Sequence, residues 1–125
     1  MSTLQIKRVY ETPSPEDGMR ILVERLWPRG LTREKAAIDL WMKDIAPSAE
    51  LRKWFAHDPA KWKAFKEKYR KELASNKALD KLIEYINSKD TVTFLYSTKD
   101  TEHNNAQVLL EVVNERLKKE GREVS

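Results

Sequence analysis

Residues 20–30 read RILVERLWPRG. Ile21, Leu22 and Val23 are consecutive and Leu26 and Trp27 follow closely, so the run does not alternate as a half-exposed strand would. It reads as a strand over about 20–26 that is covered on both faces, as in a parallel or mixed sheet under helices. Pro28 lacks an N–H and restricts Trp27, so 27–30 must be a loop. A second stretch, TVTFLY at 91–96, is β-branched and aromatic and reads as another buried strand. A shorter β-favouring run, LQIKRVY at 4–10, is ended by the turn cluster from Pro13 to Gly18. The strands at 20–26 and 91–96 each hand a polar segment onward, and they are expected to lie side by side and parallel.

Helical spacing fills the interval between these two strands. Thr32 is a candidate N-cap with Glu34 in the first turn, and Ala37, Ile38, Trp41 and Ile45 make one stripe, which predicts a helix over about 33–45. Ala46-Pro47-Ser48 breaks the chain and Ser48 caps a short helix carrying Leu51, Trp54 and Phe55. Asp58-Pro59 pairs an N-cap with an N1 proline, and Trp62, Phe65, Tyr69 and Leu73 then fall on one face of a helix over 59–74. Leu79, Leu82, Ile83 and Ile86 mark another helix. Ala106, Leu109, Leu110, Val113 and Leu117 mark a last one, over about 102–119. The pattern implies one α/β domain across residues 1–125: a three-layer sandwich with a small, mostly parallel sheet and helices on both faces.

Composition narrows the function classes. A chain of 125 residues hides roughly 65% of its unfolded surface, enough for a core without staples. With 40% hydrophobic and 35% charged residues it is neither disordered nor membrane-spanning. There is no cysteine, so disulfides, thiolate metal sites and cysteine nucleophiles are excluded, which fits a reducing setting. The start, MSTLQIKRVYE, has neither the basic segment nor the apolar run of an export signal. Two histidines without paired spacing make a weak metal-ligand set, so no metal is expected. Three glycines, with no Gly-rich phosphate loop and no G-x-S-x-G elbow, exclude a dinucleotide fingerprint, and no cofactor is implied.

The net charge of +4 is unevenly placed. Residues 61–71 hold six positive residues against Glu67, and the tail from Lys118 to Arg122 adds three more against Glu120. Such stretches attract phosphates or acidic partners in low salt, but a Lys-rich run is also how a helix keeps a solvated face. Here helical spacing scatters the six cations around the axis, and the aromatic residues among them lie on the core stripe.

Three segments could carry chemistry. Glu24, Arg25 and Arg29 sit where a buried strand ends, the place where open α/β sheets bind ligands, and an Arg fork there suits a phosphate or carboxylate. Asp100, His103 and Asn104 lie between the 91–96 strand and the last helix, with His103 as the group that exchanges a proton near neutral pH. Arg52 and His57 lie in the third segment, where Asp58 is explained as a cap and Trp54 and Phe55 as core. Each group also has a plainer reading: a Glu24–arginine pair that orders a loop, Asp100 as a helix cap, His103 as a donor to a carbonyl.

Together these segments resemble a known family. Arg8-Val-Tyr10, Asp17-Gly18, Arg25-Leu-Trp-Pro-Arg-Gly30, Ala46-Pro-Ser48, Leu51-Arg-Lys-Trp-Phe-Ala-His-Asp-Pro59 and Leu95-Tyr96 with Asp100 and His103-Asn-Asn-Ala106 are similar to the YeaO-like branch of the bacterial family called domain of unknown function 488. The similarity runs from about residue 5 to 113. It implies a small, soluble, cytoplasmic protein of three-layer α/β type. Glu24 stands where that family would carry Asp, and Glu102-His103-Asn104 stands where longer relatives carry a Cys-His-Arg-like string, so only the histidine carries over.

Residues and resemblance converge on one cluster. His103, Asp100 and Glu24 are the expected proton-handling groups, and Arg25, Arg29, Arg52, His57 and Asn104 the expected ligand-binding groups. The leading expectation is a protein that binds or processes a small anionic, phosphorylated or nucleotide-like ligand. A non-catalytic scaffold or partner-binding domain without ligand, or a nucleic-acid accessory using the Lys-rich helix 59–74, are the alternatives; oligomeric state is not legible.

Overall fold

The computed structural model describes residues 3–121, so Met1 and Ser2 of the N-terminal segment and Arg122 of the basic tail lie outside the described residues. Four strands form one sheet: β1 (Thr3–Arg8), β2 (Met19–Leu22), β3 (Leu40–Trp41) and β4 (Thr91–Tyr96), in spatial order β1-β4-β2-β3. Every pairing is parallel. β4 is central, with Phe94 opposite Ile6 on one side and opposite Ile21 on the other. The neighbouring, parallel arrangement of the second and last strands is therefore as the sequence implies.

Alternation sorts the strand residues between two faces. Ile21, Val23, Val92, Phe94 and Tyr96 enter the larger core, where Phe94 is wholly inaccessible. Burying a side chain of that size stabilises the fold by about 1.5–3 kcal/mol. Most of the rest of this core comes from four helices, α2 (Ala49–Phe55), α3 (Trp62–Ala74), α4 (Lys77–Asn87) and α5 (Asn105–Lys119), with Leu4 of β1 and Ile45 added. Tyr69, Leu82, Leu109 and Leu117 are among the buried residues of these helices. On the opposite face Leu22, Leu95 and Val9 meet Ala36 of the one-turn helix α1 (Arg33–Ala36), with Ile38 and, at the margin, Trp27, Leu31 and Trp41. The molecule is thus an α/β protein with a parallel sheet whose second face carries the thinner layer.

That second face also buries charge. Asp17 and Arg20 are 4% and 3% exposed, and the Arg20 guanidinium donates to Asp17 Oδ2 at 2.5 Å and to the Ala36 carbonyl at 2.7 Å. Lys7 Nζ reaches the same carboxylate at 3.1 Å, and Thr93 donates its hydroxyl to the Asp17 carbonyl at 2.7 Å. With its hydrogen bonds filled, a pair like this is tolerated in the interior, whereas loss of one partner alone is costly. The next residue, Gly18, has φ 63°, and a Cβ there would lie 2.3 Å from the Thr91 carbonyl oxygen. Only glycine lets the chain pass that close to β4 before β2 begins.

The helix expected over 33–45 is not formed as such. Thr32 does cap a helix through the Lys35 N–H, but α1 stops after one turn, where Ala37 takes the left-handed φ of 49°. The chain then enters β3 and a 3-10 turn over Lys43–Ile45. Ile38 belongs to one core and Ile45 to the other, and a single helical face cannot serve both sides of a sheet. The strand expected over 20–26 is shorter, its ladder ending as Val23 N–H donates to the Leu95 carbonyl at 3.2 Å. The first strand likewise ends at Arg8. The last helix starts at Asn105, because Asn104 and not Asp100 is its N-cap.

Candidate functional site

Past the C-terminal ends of β2 and β4 the chain opens into a cavity of about 300 Å³. Its size is at the small end for ligand pockets. One wall is the segment 24–29, which leaves β2; a second is Ser97 and Thr98, which leave β4; a third is the 52–57 end of α2. Parallel pairing of β2 with β4 is what brings the first two together.

Glu24 is fixed by the neighbouring strand end. Its Oε1 accepts the Ser97 N–H at 3.0 Å and the Ser97 hydroxyl at 3.3 Å, and its carbonyl accepts the Trp41 indole N–H at 2.7 Å. Burial pushes the Glu24 carboxyl up from its ordinary pKa, against the opposing pull of the Ser97 donors and of His57 and Arg52. Arg25 does not pair with Glu24. Its Nε donates to the Pro47 carbonyl at 3.1 Å and its Nη2 reaches the Ala46 carbonyl at 3.5 Å. The internal Glu24–arginine pair is therefore replaced by two separate anchors, Ser97 for the acid and the Ala46-Pro47 backbone for the base. Those anchors use only part of the guanidinium fork, which also lines the cavity.

His103 is held from two sides. Its Nδ1 lies 3.0 Å from Asp100 Oδ2, and its ring meets Trp62 edge-on at 5.2 Å between centroids. Asp100 Oδ1 accepts the backbone N–H groups of His103 at 2.9 Å and Glu102 at 3.0 Å. Those backbone donors, with the histidine ring, hold the Asp100 carboxyl below its ordinary pKa. Asp100 sits behind His103 and is not itself part of the cavity wall. Asn104 lines the wall, but its amide is committed: Oδ1 accepts the Gln107 N–H at 3.1 Å and Nδ2 donates to the Asp100 carbonyl at 3.0 Å.

Arg29, Arg52 and His57 reach the cavity from its exposed rim. His57 is placed by backbone geometry, since Ala56 and His57 take successive positive φ values of 47° and 58° where α2 ends. Non-glycine residues seldom adopt this conformation. Arg29 is steadied through its carbonyl, which accepts the Tyr10 hydroxyl at 2.9 Å. The structure thus brings Glu24, Arg25, Arg29, Arg52, His57, His103 and Asn104 to one cavity, with Asp100 as support.

Several participants escape a reading of the sequence. Ser97 acts through its backbone N–H as well as its hydroxyl, Tyr10 fastens the loop, and Trp62 packs His103 while belonging to a core stripe. Asn105, buried, donates to the Val23 carbonyl at 2.7 Å and closes the floor. Tyr10 and Asn105 alone carry a signal, as parts of the Arg8-Val-Tyr10 and His103-Asn-Asn-Ala106 strings.

The Lys-rich helix is less free than its composition implies. Lys66 pairs with Glu111 at 2.8 Å, and Arg70 pairs with Glu111 and Glu115 of α5. Lys61 and Lys68 both lie over the Trp54 ring. The face is partly an inter-helix seam as well as a solvated surface. Among the described residues no cluster of three His, Asp or Glu side chains is placed to hold a metal, and no helix is long and apolar enough to cross a membrane.

Fold and cavity define a small parallel α/β protein with a cationic pocket at the strand ends. The chain belongs to the family described as the inactive DUF488-N3 subclade, which matches residues 3–125. It is 45% identical over 106 residues to the uncharacterized protein YeaO of Escherichia coli strain K12, covering 85% of this chain and 92% of that one. It is 36% identical over 113 residues to the uncharacterized protein Rv3073c of Mycobacterium tuberculosis strain H37Rv, covering 90% and 95%. No solved structure matches it significantly.

Proposed function

We propose that this protein binds a small anionic ligand in the cavity at the ends of β2 and β4, and holds it without turning it over. The observation that carries this reading is the charge of the wall. Three arginines and two histidines, Arg25, Arg29, Arg52, His57 and His103, face one space whose sole lining carboxylate among the described residues is Glu24. A guanidinium anchored through part of its fork, as Arg25 is, presents its remaining N–H groups in a fixed direction, and planar donors of this kind suit phosphate or carboxylate oxygens. The partly enclosed, partly apolar setting strengthens such contacts relative to open water.

Binding is favoured over catalysis by the family's description as inactive. The nucleic-acid reading is weaker, since Lys66 and Arg70 are engaged by α5. Titration with inorganic phosphate, followed through the His103 imidazole and Arg25 Nε resonances, tests the proposal. Saturable shifts, weakened by Arg52→Ala and by added salt, are expected. Silence of both resonances toward phosphate, sulfate, carboxylates and mononucleotides would refute it.

A further inference from the structure

Glu24 is out of place in a pocket built only for an anion. A carboxylate among five cationic or protonatable groups repels the charge that the others attract. Nor is it needed to neutralise Arg25, which is satisfied elsewhere. Its two oxygens are also unequal. Oε1 takes both Ser97 donors, while Oε2 takes no hydrogen bond among the described residues and belongs to a side chain that lines the cavity. Part of the same cavity wall is apolar, with Leu26, Trp27, Phe55 and Phe65. Leu26, in this part of the wall, is 59% exposed.

We propose that the ligand is bifunctional: a phosphomonoester whose organic part carries a hydrogen-bond donor, an N–H or O–H, that meets Glu24 Oε2. This rests on the anion-binding reading and specifies its substrate class. The arginines and histidines take the phosphate, the apolar wall takes the flat or aliphatic body, and Glu24 reads the donor. Selectivity of this kind is strong because an analogue without the donor leaves a desolvated carboxylate unpaired. Ser97 makes the reading directional: it holds Oε1 with two donors, so Oε2 is the oxygen left for a ligand.

The same Ser97 contacts make Glu24→Gln an informative change. The Ser97 N–H demands an acceptor, so the glutamine oxygen takes the place of Oε1 and its NH₂ group takes the place of Oε2. A ligand donor then meets a protein donor. The experiment compares inorganic phosphate and phenyl phosphate, whose organic parts offer no donor, with AMP, CMP and GMP, by calorimetric titration of the wild-type chain and of Glu24→Gln. At least one nucleotide is expected to bind the wild type tenfold or more tighter than phenyl phosphate. In Glu24→Gln that advantage is expected to vanish, while inorganic phosphate binds equally or better. If phosphate and phenyl phosphate bind as tightly as every nucleotide in the wild type, the donor inference is overturned and the anion site stands. If no phosphate-bearing probe binds the wild type, the anion reading falls and this inference with it. The wild-type comparison decides the question even where the variant folds poorly.

Discussion

Asp100 grips His103 twice, with Oδ2 3.0 Å from the ring Nδ1 and Oδ1 2.9 Å from the backbone N–H of the same residue. One carboxylate thereby fixes both the ring and the peptide that carries it. Nδ1 is occupied by the acid, and Nε2 is the nitrogen left for a ligand or solvent. Trp62 closes the other side of the ring.

The first prediction concerns this pair and acid. The Asp100 carboxyl is held below its ordinary value, chiefly by the His103 and Glu102 N–H groups. A carboxyl depressed in the fold contributes stability that is present above its unfolded pKa and is lost as pH falls through the folded one. Asp100→Asn is expected to flatten the loss of stability below about pH 4. It should also shift the His103 tautomer equilibrium seen in nitrogen spectra. A variant with unchanged acid profile and unchanged tautomer would show that the pair has no energetic consequence.

Glu24 has the opposite sign. Burial raises its carboxyl, and a carboxyl raised in the fold contributes stability that is complete below its unfolded pKa and lost as pH rises through the folded value. Wild-type stability should therefore decline relative to Glu24→Gln as pH climbs from about 4 toward neutrality. Denaturant midpoints of the two proteins across that range check it, and parallel curves would count against the shift.

Gly18→Ala is expected to be strongly destabilising, by about 2 kcal/mol or more, because it joins a positive φ to a collision with backbone. The Thr91 carbonyl that the new Cβ would meet belongs to the central strand, so neither side can yield cheaply. Chemical denaturation measures the loss, and a change under 0.5 kcal/mol would mean that the turn has another conformation open to it.

Much of this arrangement was legible in the sequence, and the failures have physical causes. The 91–96 strand and the caps Thr32, Ser48 and Asp58 are set by local chemistry and appear where their residue types place them, while the strand read over 20–26 is shortened to Met19–Leu22. The segment 33–45 misleads because apolar residues at helical spacing are shared between two cores on opposite sides of a sheet. A two-residue strand such as β3 has no periodicity to detect. The site residues gathered because parallel strands bring their ends together, whereas Ser97, Trp62 and the anchors of Arg25 act through backbone atoms or ring packing, which residue type does not advertise.

The Lys-rich helix yields a graded prediction. Lys63 has no ion pair or ring contact among the described residues, and Lys63→Gln should leave stability within about 0.5 kcal/mol. Arg70 and Glu115 are half-exposed partners from α3 and α5, so a double-mutant cycle between them should return about 0.2–1 kcal/mol, falling with salt. A coupling indistinguishable from zero at low salt would return this helix to the status of a purely solvated face.

Arg25 and Arg52 separate structure from binding. Arg25 crosses from the end of β2 to the carbonyls of Ala46 and Pro47, which are buried residues in the link to α2. Arg25→Ala removes a charged donor from both, and hydrogen bonds to charged groups contribute about 1.5–3 kcal/mol each at best, so a loss of roughly 1–3 kcal/mol is expected. Glu24 is not left without partners by this change, because Ser97 holds it. Arg52 is exposed, and among the described residues its side chain makes no hydrogen bond or salt bridge, so Arg52→Ala should leave stability within about 0.5 kcal/mol. Both variants should weaken phosphate binding, and Arg52→Ala should do so in a protein as stable as the wild type. Thermal melts paired with phosphate titration distinguish the two. If Arg52→Ala binds phosphate as the wild type does while Arg25→Ala only loses stability, the arginines are structural and the cavity is not an anion site.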